Sequence, residues 1–291
     1  MELTASARRL VLINVCVAQF MGAIDARSLN VALPTLSTEF GATMAVIQWV
    51  PIAYQLTLIG LVLSLGRLGD VAGRKKIYNL GFMIFFVGSL LCGLATGVAS
   101  MVLFQILEGI GGAMILANGR AIVTAVFPAH IRGRALGITS TAFHLGYIVG
   151  PSLAGFLIDT LGWRWVFFVN LPVILVGIIM SARVIPETVS AKGGYRVDLP
   201  GAATLLAAVS LLLLTVNREA HHGFDGLAAG MLLLAAALSV LFVYIERRTD
   251  EPLLDVGLFG QRVFAAGIAA LALVSLAQRR RSFCCRFTCK G

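Results

Sequence analysis

The sequence predicts an all-α membrane protein that crosses the bilayer several times. Hydrophobic residues make up 58% of the 291-residue chain, charged residues make up only 13%, and the mean hydropathy is +0.91. A soluble domain is about half apolar and about a quarter charged. The apolar residues also form runs of about 20, the length that lets a helix cross the hydrocarbon core. These runs are too long and too uniformly apolar for the strands of a membrane barrel, which leaves helices as the spanning elements.

Nine apolar runs are candidate membrane spans, and the last of them is short. The first run follows Arg8 and Arg9, contains Asp25 and Arg27, and lacks a small-residue cleavage site, so we interpret it as a span and not as a removed signal peptide. In chain order the runs are 10–33, 46–65, 77–96, 101–127, 135–158, 165–183, 199–216, 227–245 and 263–277.

The basic residues between the runs predict the orientation. The formal net charge of +9 does not indicate a nucleic-acid-binding protein, because the basic residues lie in short gaps between apolar runs. If the N-terminus is cytoplasmic, the inner segments hold 14 basic residues and the outer loops hold two, as the positive-inside rule requires. This pattern predicts a multi-pass protein of the plasma (inner) membrane. The inner residues are Arg8, Arg9, Arg67, Arg74, Lys75, Lys76, Arg132, Arg134, Arg183, Lys192, Arg196, Arg247, Arg248 and Arg262, and the outer residues are Arg164 and Arg218.

The chain contains an internal repeat. Residues 66–75, GRLGDVAGRK, align without gaps on residues 155–164, GFLIDTLGWR, and the offset is 155 − 66 = 89. The first copy ends the second span on the inside, whereas the second copy ends the fifth span on the outside. Spans one to three and four to six are therefore predicted to be related by inverted topology, which is typical of secondary transporters.

The first copy of the repeat is predicted to be a short loop that controls conformation. Its glycines permit a tight turn and a close approach of helices, and its acid can accept hydrogen bonds from a neighbouring helix N-terminus and from a nearby base. The alternative, a merely basic cytoplasmic loop, leaves the acid and the spaced glycines unexplained. The residues of this switch loop are Gly66, Asp70, Gly73, Arg74 and Lys75.

The fifth span carries small residues at every fourth position. Gly146, Gly150 and Ala154 form one smooth helix face, with Pro151 and Gly155 beside it. Small residues at this spacing let another helix approach closely, and a proline within a span removes a backbone hydrogen bond. Ordinary small-residue packing is the alternative interpretation.

These motifs resemble those of one transporter family. The switch loop is similar to motif A of the major facilitator superfamily, and residues 146–155 are similar to motif C, which marks its antiporters. Residues 25–34, DARSLNVALP, and residues 162–172 resemble signatures of the fourteen-span drug:proton antiporter branch (the EmrB/QacA type). The resemblance extends over about residues 10 to 278. It implies a six-helix N-domain with an inverted 3+3 repeat, two linking spans and a C-domain, which together exchange substrate for protons by alternating access.

The same resemblance divides the chain into five regions. They are a six-helix transporter domain at 1–184, a cytoplasmic linker at 185–198, two linking helices at 199–246, a cytoplasmic loop with the start of the C-domain at 247–278, and a basic tail at 279–291.

The charges inside the spans point to a proton and substrate pathway. Motif B of the family places an Arg and then a Gln before Gly in the fourth span, where this chain has Gln105 and Glu108. Counting 1.5 Å per residue puts Arg27 about 25 Å and Glu108 about 20 Å from the inner side of the membrane, so we predict that they pair. The alternative is that Arg27 extends to the outer interface and Glu108 is protonated. Arg120 is predicted to reach the inner interface. The pathway residues are Asp25, Arg27, Asn30, Gln105 and Glu108.

The leading functional prediction is proton-coupled efflux of drugs or other small amphipathic or cationic compounds. We expect small-molecule substrate, protons and the lipid bilayer as partners, without nucleic acid, cofactor, bound metal or enzyme activity. A nutrient or siderophore permease of the same superfamily is one alternative, and a non-transporting membrane fragment or interaction subunit is another. The four histidines form no metal or catalytic constellation; they are His130, His144, His221 and His222.

The end of the chain is predicted to be aberrant. After the short ninth run the sequence changes to a basic, cysteine-containing string at 279–291, which the topology would place outside. We therefore expect a chain truncated by a frameshift, with a missing C-terminal half and no transport of its own. The alternative is a genuine short subunit whose ninth segment does not cross the membrane.

Overall fold

The computed structural model describes residues 4–186, 199–222 and 226–246, and the regular secondary structure of these residues is entirely α-helical. Seven helical segments are long and apolar enough to span a membrane. The predicted class, an all-α membrane protein, is therefore confirmed. The helices are α1 (Ala5–Glu39), α2 (Met44–Ile47), α3 (Trp49–Ala72), α4 (Arg74–Gly93), α5 (Val98–Val126), α6 (Ala129–Leu161), α7 (Trp165–Phe168), α8 (Asn170–Val184), α9 (Leu199–His222) and α10 (Gly226–Glu246).

The first six predicted spans correspond to α1, α2–α3, α4, α5, α6 and α7–α8, and the eighth corresponds to α10. The seventh predicted span lies within α9, whose apolar segment Ala203–Leu212 is shorter than a membrane span. The ninth predicted span, 263–277, the regions 247–278 and 279–291, and most of the linker lie outside the described residues.

The predicted switch loop is mostly helical, which corrects the sequence-based expectation. Helix α3 continues through Ala72, and Gly73 alone separates it from α4. Gly73 has a φ of 101°, which glycine adopts without the steric penalty that other residues incur. Its N–H donates to Gly69 at 3.0 Å and its carbonyl accepts from Ile77 at 3.1 Å. The chain therefore turns between two helices within one residue, and no longer loop is needed.

The helix packing follows the internal repeat. Gly162, which ends α6, lies 89 residues after Gly73 and also has a positive φ, 94°. Helix α1 packs on α6, and α3 packs on α5. A shift of 89 residues places α1 on α5 and α3 on α6, so the repeat converts one of these helix pairs into the other. It likewise exchanges the α4–α5 and α1–α8 contacts. This arrangement is the pairing expected of an inverted 3+3 repeat.

The interior consists of two apolar clusters with a polar layer between them. One cluster includes Val15 of α1 and Ile115 of α5, and the other includes Leu29 of α1 and Met101 of α5. The outward side chains are also apolar; Ile148, for example, is 72% exposed. An apolar surface is suited to lipid and not to water. The polar layer lies near the middle of the bundle, where the candidate site is found.

Candidate functional site

Asp25 is the buried acid of α1, and its side chain is only 2% exposed. Its Oδ1 accepts a hydrogen bond from Nδ2 of Asn170, at the start of α8, at 2.8 Å. No described residue forms an ion pair with this carboxyl group. Asn170 belongs to residues 162–172, which were expected only to mark the antiporter branch. An amide within a span was the signal that could have identified it as a site residue.

Glu108 is the second buried acid, and it lies in the middle of α5 with no exposed surface. Its Oε2 accepts from Nε2 of Gln105 at 2.8 Å and from Sγ of Cys92 at 3.6 Å. The nearby Ser89 hydroxyl donates instead to the carbonyl of Phe167 at 3.2 Å. Within the described residues, Oε1 of Glu108 therefore has no hydrogen-bond partner. Cys92 contributes a polar contact that the sequence analysis did not predict.

Arg27 and Glu108 do not pair, which corrects the prediction made from their depths. Arg27 is exposed, and its Cζ lies 4.1 Å from the centroid of the Tyr147 ring on α6. Two residues along a helix correspond to about 200° of rotation, so Arg27 and Asp25 point to different sides of α1. Asn30 is also exposed, and its amide donates to the carbonyl of Ala26 in its own helix at 2.9 Å.

Asp25 and Glu108 are both buried in the polar layer, and Tyr54 of α3 is buried in the same region, where its carbonyl oxygen lies beside Gly109 of α5. Tyr54 is buried, and its hydroxyl lies beside α5, where a methyl group on Gly112 would approach it to 3.0 Å. The predicted cluster contained Arg27 between the two acids. In the structure Tyr54, and not Arg27, lies in the same buried region as Asp25 and Glu108. Two buried acids of like charge form a site in which a proton has a large effect on stability.

A cavity of about 240 Å³ lies beside these acids, between α1, α3, α5 and α6. Its wall combines aromatic rings, aliphatic side chains and two glutamines, and Arg120 is the charged member of the described lining. Arg120 was predicted to reach the inner interface, and in the structure its side chain is exposed and lines this cavity. The lining residues are Ala18, Gln19, Met21, Gly22, Ala26, Tyr54, Gln55, Leu58, Ile59, Phe85, Gly112, Ile115, Leu116, Arg120, Phe143 and Tyr147.

The switch segment joins three helices at one end of the bundle. Nε of Arg74 lies 2.7 Å from Oδ1 of Asp70, and its Nη1 donates to the carbonyl of Ala121 on α5 at 3.2 Å. Gly69 of α3 lies against the side chain of Asn118, where a Cβ would clash. The expected contact between Asp70 and Arg74 is present. Gly66 is less crowded, because a methyl group there would be 3.5 Å from Ala117, and Lys75 is half-buried.

The glycines of α6 divide into two groups. A Cβ on Gly146 would clash with the carbonyl of Phe20, and one on Gly150 would lie 3.1 Å from the carbonyl oxygen of Ile24, so α1 and α6 touch through their backbones. The carbonyl of Gly150 also accepts from Ser28 at 3.2 Å. By contrast, a Cβ on Gly155 would meet nothing within 4 Å, and Pro151 is exposed. The close-packed face therefore consists of Gly146, Gly150 and Ala154 only.

Comparison with known proteins identifies the family. A family model described as Major Facilitator Superfamily matches residues 15–282. The riboflavin transporter RibZ of Clostridioides difficile (strain 630) is 31% identical over 259 residues, covering 89% of this chain and 56% of that protein. The multidrug resistance protein Stp of Mycobacterium tuberculosis (strain CDC 1551 / Oshkosh) is 33% identical over 270 residues, covering 92% and 50%. The chain thus spans about half the length of these relatives.

Solved structures agree on the fold. The crystal structure of peptide transporter POT in complex with sulfate matches with a TM-score of 0.58 at 16% identity, covering 82% of this chain and 53% of that chain. The human organic anion transporter MFSD10 (TETRAN) matches with a TM-score of 0.56 at 16% identity, covering 82% and 62%. The family match includes nearly the whole chain. This protein belongs to the Major Facilitator Superfamily, whose members are transporters and not enzymes.

Proposed function

We propose that the chain forms one bundle of a proton-coupled efflux transporter for drugs or other small amphipathic compounds. The observation that carries the proposal is an aromatic-walled cavity beside two buried carboxyl groups that have no cationic partner among the described residues. The relative named a multidrug resistance protein supports the substrate class. We assign the transporter to the fourteen-span drug:proton antiporter branch. The basic loops support the plasma (inner) membrane and a cytoplasmic N-terminus.

The proposed proton site is the pair of Asp25 and Glu108. An ionised carboxylate away from water is costly without a cation, and a second carboxylate nearby increases that cost. At least one of the two groups therefore carries a proton in this arrangement. Tyr54 lines the cavity and packs against Gly109, the residue that follows Glu108 on α5, so it is the proposed link between substrate and proton. A substrate that displaces Tyr54 changes the free energy of protonating the pair.

The proposed transport cycle needs a second helix bundle. Alternating access closes the cavity when one bundle rocks against another around a fixed site. Helices α1–α8 supply the first bundle, and α9 and α10 are the proposed linking spans. The contact of Asp70, Arg74 and Ala121 ties the α3–α4 turn to α5. We propose that it stabilises one end state and breaks in the other.

A nutrient permease of the same superfamily is the second candidate. The relative that is named a riboflavin transporter favours it. The cavity would serve equally as the site of uptake, because the same alternating-access cycle runs in either direction according to the gradients. Direction of transport therefore distinguishes the candidates, and the glycines of the α1–α6 contact, which resemble the antiporter motif, favour exchange.

The test measures transport driven by a pH difference. Proteoliposomes contain the 291-residue chain co-expressed with a second six-helix bundle of the superfamily, because the proposed cycle needs both bundles, and a panel of anionic and cationic xanthene dyes serves as substrate. We expect dye to move against its gradient when protons move in the opposite direction, and Asp25→Asn to abolish this coupling. Asparagine keeps the size of Asp25 and an oxygen acceptor for Asn170. The control is Asp159→Asn, which changes an exposed acid on α6. Unchanged proton-driven transport by the Asp25 variant would overturn the proposal.

A further inference from the structure

The charge of the cavity wall is opposite to that of the acids behind it. Arg120 is exposed in the cavity and forms no hydrogen bond or ion pair with a described residue. No described acidic side chain lines the cavity: those of α1–α8 are buried behind it, paired at helix ends or exposed elsewhere. These acids are Asp25, Glu39, Asp70, Glu108 and Asp159.

A second guanidinium group, that of Arg27, stacks on a ring of the cavity wall, although Arg27 itself is not a lining residue. Arg27 lies over the Tyr147 ring, which lines the cavity, and a methyl group on Gly150 would be 3.1 Å from Cβ of Arg27. The arginine is therefore held between α1 and α6 by a stacking contact and a close backbone approach. A guanidinium that stacks on an aromatic face keeps its N–H groups available for an anion.

The two arginines lie at different levels along the bundle. A methyl group on Gly119, next to Arg120, would be 3.4 Å from Cγ1 of Val15 and 4.0 Å from Nε2 of Gln19, so this part of α5 lies level with residues 15–19 of α1. Arg27 is eight to twelve residues farther along α1, which corresponds to about 12 to 18 Å at 1.5 Å per residue. The cavity wall also presents the aromatic rings of Tyr54 and Phe143.

We infer that this cavity selects aromatic anions: planar molecules that carry a carboxylate or a similar acidic group. The guanidinium of Arg120 donates paired hydrogen bonds to a carboxylate, while the aromatic rings of the cavity wall bury an aromatic body. A cation would instead meet the unpaired positive charge of Arg120. The inference rests on the proposed function, in that it names the substrate class of the same cavity, and it replaces the cationic compounds expected from the sequence.

The test is equilibrium binding to the 291-residue chain in lipid nanodiscs, without any gradient. Fluorescein and rhodamine 123 share a xanthene core, but the first is anionic and the second cationic at neutral pH. We expect fluorescein to bind about tenfold more tightly, because a charge-assisted hydrogen bond contributes about that factor. Arg120→Gln should weaken fluorescein binding about tenfold and Arg120→Glu should reverse the preference, whereas Arg120→Lys should preserve its direction. Arg134→Gln, which changes an exposed arginine outside the cavity, is the matched control.

Tighter binding of rhodamine 123 by the unmodified chain would overturn the inference. Absence of saturable binding of both dyes, or equal affinities in the unmodified chain and the correctly folded Arg120 variants, would also overturn it. Because the measurement needs no proton gradient, it is independent of the coupling test. Selective binding of fluorescein together with uncoupled transport would contradict the proposed function and leave the ligand class supported.

Discussion

Two helix pairs are related by the internal repeat, yet their ends are fastened differently. In the α3–α5 pair, Arg74 follows the turn glycine, lies 2.7 Å from Asp70 and also donates to the carbonyl of Ala121 on α5. In the α1–α6 pair, Arg164 lies beyond the equivalent glycine, and its Nη1 is 3.4 Å from Oε1 of Glu39 on α1. Arg74 therefore contacts α5 through a backbone carbonyl, whereas Arg164 contacts α1 only through the side chain of Glu39.

Exposure increases the difference between the two ends. Arg74 and Asp70 are 29% and 41% exposed, whereas Arg164 and Glu39 are 45% and 47% exposed. Exposed ion pairs contribute little because water and salt screen them. The stability of the α1–α6 pair therefore depends on the backbone contact at its glycines. The α3–α5 pair also has glycine contacts, and the hydrogen bond from Arg74 to Ala121 stabilises it further. Four sets of variants test this division, beginning with the largest expected effect.

Gly146→Val should destabilise the bundle most. The new side chain meets the carbonyl of Phe20 and Cβ of Ala23, and both belong to the helix that α6 packs against. We expect a loss of about 3 kcal/mol, the upper part of the usual range for overpacking, because backbone atoms cannot move aside as a flexible side chain can. Thermal unfolding in detergent, followed by size-exclusion chromatography, measures the effect.

Gly155→Val is the matched control for this substitution. Its position lies on the same helix, but a Cβ there meets nothing within 4 Å. The control should change the free energy of unfolding by no more than about 1 kcal/mol, the scale of helix propensity. If both variants were equally stable, the backbone contact between α1 and α6 would not carry the stability assigned to it.

The sequence predicted the helices and the repeat because both depend on local patterns. Apolar runs located the helices of the described part, although the seventh run is shorter than a span, and the spacing of glycines at 89 residues identified the turns at Gly73 and Gly162. The depth of Glu108 also follows from counting residues. The direction in which a side chain points does not, because it depends on how neighbouring helices rotate as they pack. That is why Arg27 and Glu108 match in depth and still do not meet.

The partners of the buried acids were missed for the same reason. Asn170 is separated from Asp25 by 145 residues, and only the packing of α8 on α1 brings the two together. Cys92 reaches Glu108 because α4 approaches α5 closely at Gly88, where a methyl group would be 2.8 Å from Cα of Glu108. A sequence indicates that a buried acid needs a partner, but tertiary packing decides which residue supplies it.

The two turn glycines should be equally sensitive, because the repeat gives them similar conformations. Gly73 has a φ of 101° and Gly162 a φ of 94°. Alanine at either position is strained at such angles, and we expect each substitution to lower the free energy of unfolding by about 2 kcal/mol. Gly97→Ala is the control, because its φ of −174° is accessible to any residue and the position is open. Thermal unfolding of the three variants measures these costs, and a clearly larger loss for one turn glycine would break the equivalence.

The end contacts should give the smallest and most unequal effects. Arg74→Gln removes an ion pair and a charged hydrogen bond to the backbone of α5, so we expect a loss of about 1 kcal/mol after screening. Arg164→Gln removes a long, exposed contact with Glu39 and the stacking of the guanidinium on Trp163, 4.3 Å from the ring centroid, and should cost about 0.5 kcal/mol. Thermal unfolding at low and high salt measures both, and added salt should reduce the difference between the variants.

The Asp70→Asn variant tests whether the contact between Asp70 and Arg74 influences the conformation of the protein as well as its stability. The amide loses the charge that attracts Arg74 but keeps the size of the side chain, so the bundle should remain folded while the α3–α4 turn is released from α5. If the contact stabilises one end state, the population of that state falls by about fivefold for each 1 kcal/mol removed. Accessibility of a cysteine introduced at Leu58, in the cavity wall, reports this shift, and Glu39→Gln at the looser end is the control. Equal labelling of Asp70→Asn and the unmodified protein would mean that the two ends differ in strength but not in function.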